Sequence, residues 1–186
     1  MPLTAVITSA EALVQQCIDG DHSAYRLLYE RYNKAMFNTA LRIVNQVADA
    51  EDILQEAFTD AFRQLKEFQG RSTFGAWLKQ IVIFKSIALL KKKRIEFVEM
   101  DEVPETADDL TATDENTWYT ADLIRQSLQN LPDGYRTVLS LYLLEGYDQK
   151  EIADILNVAP STVRTQYIRG KEKLVDLLKN REVYER

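Results

Sequence analysis

The chain has 186 residues, 46% of them hydrophobic and 28% charged, with a formal net charge of −6. That length suits one ordinary domain or two small ones with real cores. Cys17 and His22 are each the sole residue of their type, which argues against a disulfide framework, thiolate or histidine metal sites and Ser-His-Asp catalysis, so neither a metal nor a cofactor is expected.

No apolar run is long enough to span a bilayer. The opening "MPLTAVITSA" lacks the basic and apolar regions of a signal peptide, so a cytoplasmic location is expected. Charge is distributed unevenly. Residues 1–94 carry 13 basic and 10 acidic side chains, residues 95–117 carry 9 acidic and no basic ones, and residues 118–186 carry 10 of each. The acidity therefore belongs to one segment, and the rest of the chain is mildly basic.

Four helices are expected before that segment. The first starts at Ser9 or Ala10 and ends at Asp19-Gly20. The second runs from about Asp21 to Asn45, with Ala24, Leu27, Leu28, Tyr32, Ala35, Met36, Thr39 and Ile43 at helical spacing. Asp49 is placed to cap the third, which carries Ile53, Leu54, Ala57, Phe58, Ala61, Phe62 and Leu65 on its apolar side. Gly70 breaks the chain, Ser72 or Thr73 caps the fourth helix, and that helix ends in the basic run Lys91, Lys92, Lys93, Arg94.

The third and fourth helices hold candidate surfaces. Asp49, Asp52 and Glu56 lie on one side of the third, beside Glu51 and Gln55. Such a cluster suits a metal or acid–base site, a solvated helix start that complements the dipole, or a protein-docking surface. With no histidine partner and no second carboxylate helix of matching pattern, an enzyme reading is disfavoured. On the fourth helix Phe74, Trp77, Lys79 and Lys85 precede the basic run. Aromatic and basic residues together suit unpaired bases, with rings stacking and cations following phosphates. The plainer alternatives are that Phe74, Trp77 and Ile81 are core, and that the lysines are a solvated helix C-terminus.

The stretch "EFVEMDEVPETADDLTATDENT" carries Pro104 and no helical apolar stripe, and reads as an acidic linker over residues 95–117. Four more helices follow: one from about Trp118 to Asn130; "LPDGYRTVLSLYLLEG", with Pro132 near its first turn and Gly146 past its end; "DQKEIADIL", with Asp148 and Glu151 at capping-box spacing; and a long one starting near Pro160. A short helix, a tight turn at "NVA" and a longer helix form a helix-turn-helix. Ile152, Ala153 and Val163 would face inward. Ser161, Thr162, Arg164, Thr165, Ile168, Arg169 and Lys171 would face outward, where Arg can read guanine edges, Thr and Ile can meet thymine methyls, and Ser, Thr and Lys can hold phosphates. The bland alternative is a helical hairpin with a solvated charged face.

Three stretches, "YERYNKAMFNTALRIVNQVADAEDILQEAFTDAF", "STFGAWLKQIVIFKSIALLKKKR" and "LPDGYRTVLSLYLLEGYDQKEIADILNVAPSTVRTQYIRGKEKL", together resemble an extracytoplasmic-function (ECF) sigma factor of the sigma-70 family. The resemblance spans about Ala10 to Leu178. It implies an all-α fold of two small helical domains, a region 2 bundle over residues 1–94 and a region 4 helix-turn-helix over residues 118–186, joined by the acidic linker. It implies a non-enzymatic subunit that directs core RNA polymerase to promoters. Asp49, Asp52, Gln55 and Glu56 would grip the clamp coiled coil of the polymerase largest subunit. Ser72, Thr73, Phe74, Trp77, Lys79, Lys85, Lys91, Lys92, Lys93 and Arg94 would open and read the minus-ten element. Arg164, Thr165, Ile168 and Arg169, with their neighbours, would read the minus-thirty-five element. An anti-sigma factor is a further implied partner, and a stand-alone helix-turn-helix regulator is the rival.

Two departures stand out. Phe84 and Ala88 occupy positions where the family usually has Asn and Asp, and as an i, i+4 pair they suggest an apolar repacking. Gly170 stands where Ala is usual, and Lys171 where Arg is common.

Overall fold

The computed structural model describes residues 9–97 and 121–184, and for 94–97 and 181–184 the backbone alone. All regular structure among them is helical. The elements are α1 (Ala10–Ile18), α2 (His22–Val44), α3 (Val47–Arg63), a 3-10 turn at Leu65–Glu67, α4 (Phe74–Phe97), α5 (Ala121–Gln129), α6 (Asp133–Leu143), α7 (Gln149–Leu156) and α8 (Pro160–Tyr184). The chain divides between Leu89 and Leu90 into two compact units. Most of the expected linker and Trp118 lie outside the described residues, but α4 continues through Phe97, past the expected linker start at residue 95.

In the first unit, local chemistry sets the helix ends. The Ser9 hydroxyl accepts from the Ala12 amide (3.1 Å), starting α1. The Asp21 carboxylate accepts from the Ser23 amide (2.8 Å), starting α2. Such caps satisfy amides that have no partner inside the helix. Asn45 stops α2 in the left-handed conformation at φ 58°, which Asn tolerates better than most residues. The third helix begins earlier than expected: Val47 opens it, Gln46 precedes it without a side-chain cap, and Asp49 lies inside the first turn. There its carboxylate complements the helix dipole rather than capping the chain. Thr73 caps α4, its hydroxyl accepting from the Ala76 amide (3.2 Å).

Leu13, Ala24, Leu28, Met36, Ala40, Ile43, Ile53, Ala57 and Phe58 are buried along α1, α2 and α3. Two members of the expected α2 stripe are not: Leu27 is 46% exposed and Ala35 is exposed. They sit at the margin of the buried arc, which Leu28 and Met36 occupy instead. Aromatic edges tie the layers together. Tyr25 meets Phe62 edge-on (centroids 4.9 Å), Tyr29 meets Phe58 (4.8 Å) and Tyr32 meets Phe74 (5.4 Å). Pairs of this kind add roughly 0.5–1.5 kcal/mol beyond area burial.

The second unit packs α5, α6 and α7 against α8. Leu128, Leu131, Leu139, Leu174 and Leu178 form its core, with Leu123, Ile124, Tyr135, Leu144, Tyr167 and Leu177 around them. Pro132 is the N-cap of α6, one position before the first turn. The predicted capping box of α7 is present: Asp148 accepts from the Glu151 amide and Glu151 from the Asp148 amide, each at 2.8 Å. Asn157 ends α7 at φ 53°.

Candidate nucleic-acid and polymerase interface

The helix-turn-helix is built from the inside outward. Ile152 and Val163 are fully buried and Ala153 is 2% exposed, so the angle between α7 and α8 is fixed by apolar contact, as expected. Asn157, Val158 and Ala159 make the turn. A buried Val163 obliges its neighbours to point away: Ser161, Thr162, Arg164, Ile168 and Lys171 are exposed, while Thr165 and Arg169 are half-buried. This row of hydroxyls, cations and one branched apolar group has the donors and methyls that base edges and phosphates call for.

Gly170 is not part of that row. It is buried against α6, and a β-carbon there would stand 3.1 Å from Tyr135 Cβ and 3.2 Å from Leu139 Cδ1. Its departure from the family pattern is thus a packing feature of α6 and α8. Arg136 is a residue sequence reading passed over. Its side chain is 3% exposed, Nη1 donates to the Leu131 carbonyl (2.8 Å), and Nη2 pairs with Asp133. It pins the turn that feeds α6. The signal was an Arg three residues after an Asp in a first turn, a common surface spacing that does not announce burial.

In the first unit the acidic candidates of α3 separate by exposure. Asp52, Gln55 and Glu56 are exposed on one side, and Asp49 is half-buried. Among the described residues, no group of three or more His, Cys, Asp or Glu side chains could hold a metal ion. Cys17 is buried, and burial raises its thiol pKa, with Asp21 adding to the effect. A buried thiol of raised pKa is a poor nucleophile.

The candidates of α4 divide more sharply. Phe74 is 0% exposed and touches Tyr32, Phe68 and Trp77, so its ring belongs to the core and is not available to DNA. Trp77 is half-buried beside Phe68 (5.0 Å) and Ile81 is half-buried. The structure brings Ser72 and Thr73 to the surface at the start of the helix, leaves Lys91 and Lys92 exposed toward its end, and half-buries Lys79 and Lys93. The Arg94 side chain lies outside the described residues.

Lys85 faces inward. Its ammonium lies 2.7 Å from Asp60 Oδ2 and 3.1 Å from Glu56 Oε2, with the lysine side chain only 24% exposed. The hydrogen bond to Asp60 raises the Lys85 pKa, and the same bond lowers that of Asp60. Lys85 is therefore a strut between α3 and α4 rather than a free phosphate anchor. The spacing along α4 could not show this, because the partners are more than twenty residues upstream on another helix.

Phe84 and Ala88 do not form a repacked interior pair. Phe84 is 53% exposed and Ala88 is exposed. The helix buries Leu78, Val82, Ile83 and Ile87, which places positions 84 and 88 on its outer side.

No helix among the described residues is long and apolar enough to cross a membrane. The Sigma-70 region 2 family model matches residues 28–95, and the Sigma-70 region 4 model matches residues 121–174. RNA polymerase sigma-H factor of Pseudomonas aeruginosa is 31% identical, over 88% of this chain and 91% of that protein. The ECF sigma factor SigW of Bacillus subtilis is 30% identical, over 87% and 92%. The ECF sigma-E factor of Haemophilus influenzae is 29% identical, over 88% and 92%.

Two solved structures share the fold. One is sigma factor RpoE in complex with the anti-sigma factor NepR from Bartonella quintana (TM-score 0.54, 20% identity, 83% of this chain and 96% of that one). The other is CnrH in complex with the cytosolic domain of CnrY (TM-score 0.55, 24% identity, 92% and 99%). Two helical units in the matched order, a capped helix-turn-helix and near-full-length relatives of one kind lead to one conclusion: the chain belongs to the ECF sigma factors of the sigma-70 family.

Proposed function

We propose that the protein is a dissociable promoter-specificity subunit that docks on core RNA polymerase and directs it to promoters through minus-ten and minus-thirty-five elements. One observation carries the DNA-reading part. Burial of Val163 behind a capped α7 leaves Ser161, Thr162, Arg164, Ile168 and Lys171 exposed together on α8. A helix presented this way fits a major groove.

In this reading residues 1–94 are region 2, 95–117 a linker and 118–186 region 4. Asp52, Gln55 and Glu56 are the polymerase-facing side of α3, with Asp49 at its margin. Ser72, Thr73, Trp77, Lys79 and Lys91 to Arg94 line the approach of the minus-ten strand. Thr165 and Arg169, half-buried at the edge of the outward row, complete the minus-thirty-five set. Chemistry is left to the polymerase; this chain supplies recognition and no reaction of its own, and it works where polymerase works, inside the cell. The solved RpoE structure is a complex with an anti-sigma factor, which supports an anti-sigma factor as a further partner here.

The net charge of −6 predicts weak DNA binding by the free protein, since phosphate attraction supplies much of such affinity. Run-off transcription with core polymerase and a promoter library tests the proposal. Promoter-dependent transcripts that require the added chain are expected. Duplex binding without polymerase, and no such transcripts, would instead favour a stand-alone regulator.

A further inference from the structure

Glycine is a poor helix former, yet Gly75 stands in the first turn of α4. Its backbone does not demand glycine: Gly20, Gly70 and Gly146 have positive φ, and Gly75 does not. What the missing side chain provides is a close approach. A β-carbon at position 75 would stand 2.6 Å from Tyr32 Cε1, 3.3 Å from Cζ and 3.4 Å from Oη. Carbon atoms in ordinary contact lie about 3.5–4.0 Å apart. The first turn of α4 therefore rests on a tyrosine ring from α2, closer than any side chain at position 75 would allow.

Making room means moving that ring, and the ring has a second neighbour. Tyr32 packs against Phe74 (centroids 5.4 Å), which is fully buried. Phe74 in turn meets Phe68 (6.3 Å) and Trp77 (5.9 Å), and Phe68 meets Trp77 (5.0 Å). Phe68 and Phe74 bound the loop of residues 69–73, all of which are exposed. One aromatic cluster thus holds both ends of the loop. The join to the helix is direct. The Thr73 carbonyl accepts from the Trp77 amide (3.1 Å) and from the Ser72 hydroxyl (3.4 Å), and the Thr73 hydroxyl accepts from the Ala76 amide (3.2 Å). A displaced first turn would carry Ser72 and Thr73 with it.

We infer that Gly75 is a positioning residue for minus-ten recognition, seating α4 on Tyr32 and so fixing where the loop presents Ser72 and Thr73. This rests on the reading of that loop as facing the minus-ten strand, and it adds what sets the loop's position. Relieving the contact that a β-carbon would make takes about 1 Å of movement. Hydrogen-bond distances vary by only about 0.5 Å, so a contact made from the loop is lost while the helix itself survives.

The test uses holoenzyme assembled from core polymerase and the full chain. Its probes are a forked DNA whose unpaired strand carries the minus-ten region of a promoter that the holoenzyme transcribes, and the same fork with each minus-ten base changed in turn. Gly75→Ala should retain core polymerase and its preference for a matched minus-thirty-five element. It should bind the native fork about 5- to 150-fold more weakly, the value of one base contact, and lose discrimination at the positions the loop meets. Tyr32→Leu removes the seat without the clash and should lose discrimination at the same positions. Adding Gly75→Ala to Tyr32→Leu should then cost less than about twofold, far below the cost of Gly75→Ala alone, because contacting residues are not additive.

Several outcomes would overturn the inference. Native discrimination by Gly75→Ala would mean that the Tyr32 ring swings aside and seats nothing. An equal loss on every fork would make Gly75 a folding residue alone. An equal cost of Gly75→Ala with and without the Tyr32 ring would remove that contact as the cause. If Gly75→Ala does not assemble with core polymerase, Tyr32→Leu decides: unchanged discrimination overturns the inference, and loss at the loop's positions supports it. Failure of the underlying reading has its own mark. If Arg71→Ala and Ser72→Ala leave fork binding and discrimination as in wild type, the loop does not meet the strand, and the positioning role falls with it.

Discussion

Gly170→Ala sets two calculable effects against each other. Within a helix, Ala is favoured over Gly by about 1 kcal/mol, and α8 is helical on both sides of position 170. The added carbon, however, would stand 3.1 Å from Tyr135 Cβ and 3.2 and 3.4 Å from Leu139 Cδ1 and Cγ. Ordinary carbon contacts lie at about 3.5–4.0 Å. Leu139 can move its outer atoms only by disturbing the leucine core it belongs to. Tyr135 Cβ is attached directly to the α6 backbone, so relief there means parting the two helices by a few tenths of an ångström. Overpacking of this kind costs about 1–3 kcal/mol. The expected result is that Gly170→Ala gains nothing and loses up to about 1–2 kcal/mol once the propensity gain is set against that cost. Gly170→Val, with two more carbons and a β-branched side chain, should lose more. Urea unfolding of the full chain, followed by circular dichroism, gives the comparison. A gain of about 1 kcal/mol for the alanine variant, the value of an open helix site, would refute the close-packing argument.

Lys85→Met, which keeps the stem and removes the charge, should cost about 0.5–1.5 kcal/mol for two partly exposed ion pairs. Its effect should depend on pH in a defined way. The lowered pKa of Asp60 places its contribution above about pH 3.9, lost as acid is added through the folded value; the raised pKa of Lys85 keeps its own below about pH 10.4, lost as pH rises further. Unfolding of wild type and variant compared at pH 3, 7 and 11 checks this; an equal difference at all three contradicts the strut. Ser140→Ala removes a buried hydroxyl that has no hydrogen-bond partner among the described residues, and should be neutral or stabilise by up to about 1 kcal/mol in thermal unfolding. Asp148→Ala removes half of the capping box and should cost about 1 kcal/mol, read in the same experiment. Arg164→Ala should weaken promoters with a matched upstream element by roughly 1–3 kcal/mol, and an unchanged promoter profile in run-off transcription would take Arg164 out of the reading set.

The helix-turn-helix was legible in the sequence because each of its parts is local. Asp148 and Glu151 are three residues apart, the turn spans Asn157 to Ala159, and Val163 is fixed by the helix repeat. The same holds for the cap at Thr73 and the stop at Asn45. What escaped was non-local. Lys85 has the same spacing as a phosphate-binding lysine, and its partners Glu56 and Asp60 come from another helix. Phe84 and Ala88 at i, i+4 look alike whether they face a core or solvent, and the buried set Leu78, Val82, Ile83 and Ile87 decides it. Phe74 looked like either platform or core, and the Tyr32 and Phe68 rings that enclose it settle the choice. Gly170 appeared as an oddity of a DNA-facing helix because a glycine has no side chain whose chemistry points to its neighbours.

The Lys85 strut also has a built-in redundancy. One ammonium is shared by two carboxylates, and they differ in station: Glu56 is 66% exposed on the outward side of α3, while Asp60 is half as exposed, at 33%, and closer to the lysine. A partner that binds the outward side competes for Glu56 first. When it does, Lys85 keeps Asp60, and the two helices stay latched. The outer acid can be lent to a visiting protein without loosening the helix behind it, so the orientation of α4 need not depend on what covers α3. A single Lys–Glu pair in the same place would have made every docking event also an unlatching event.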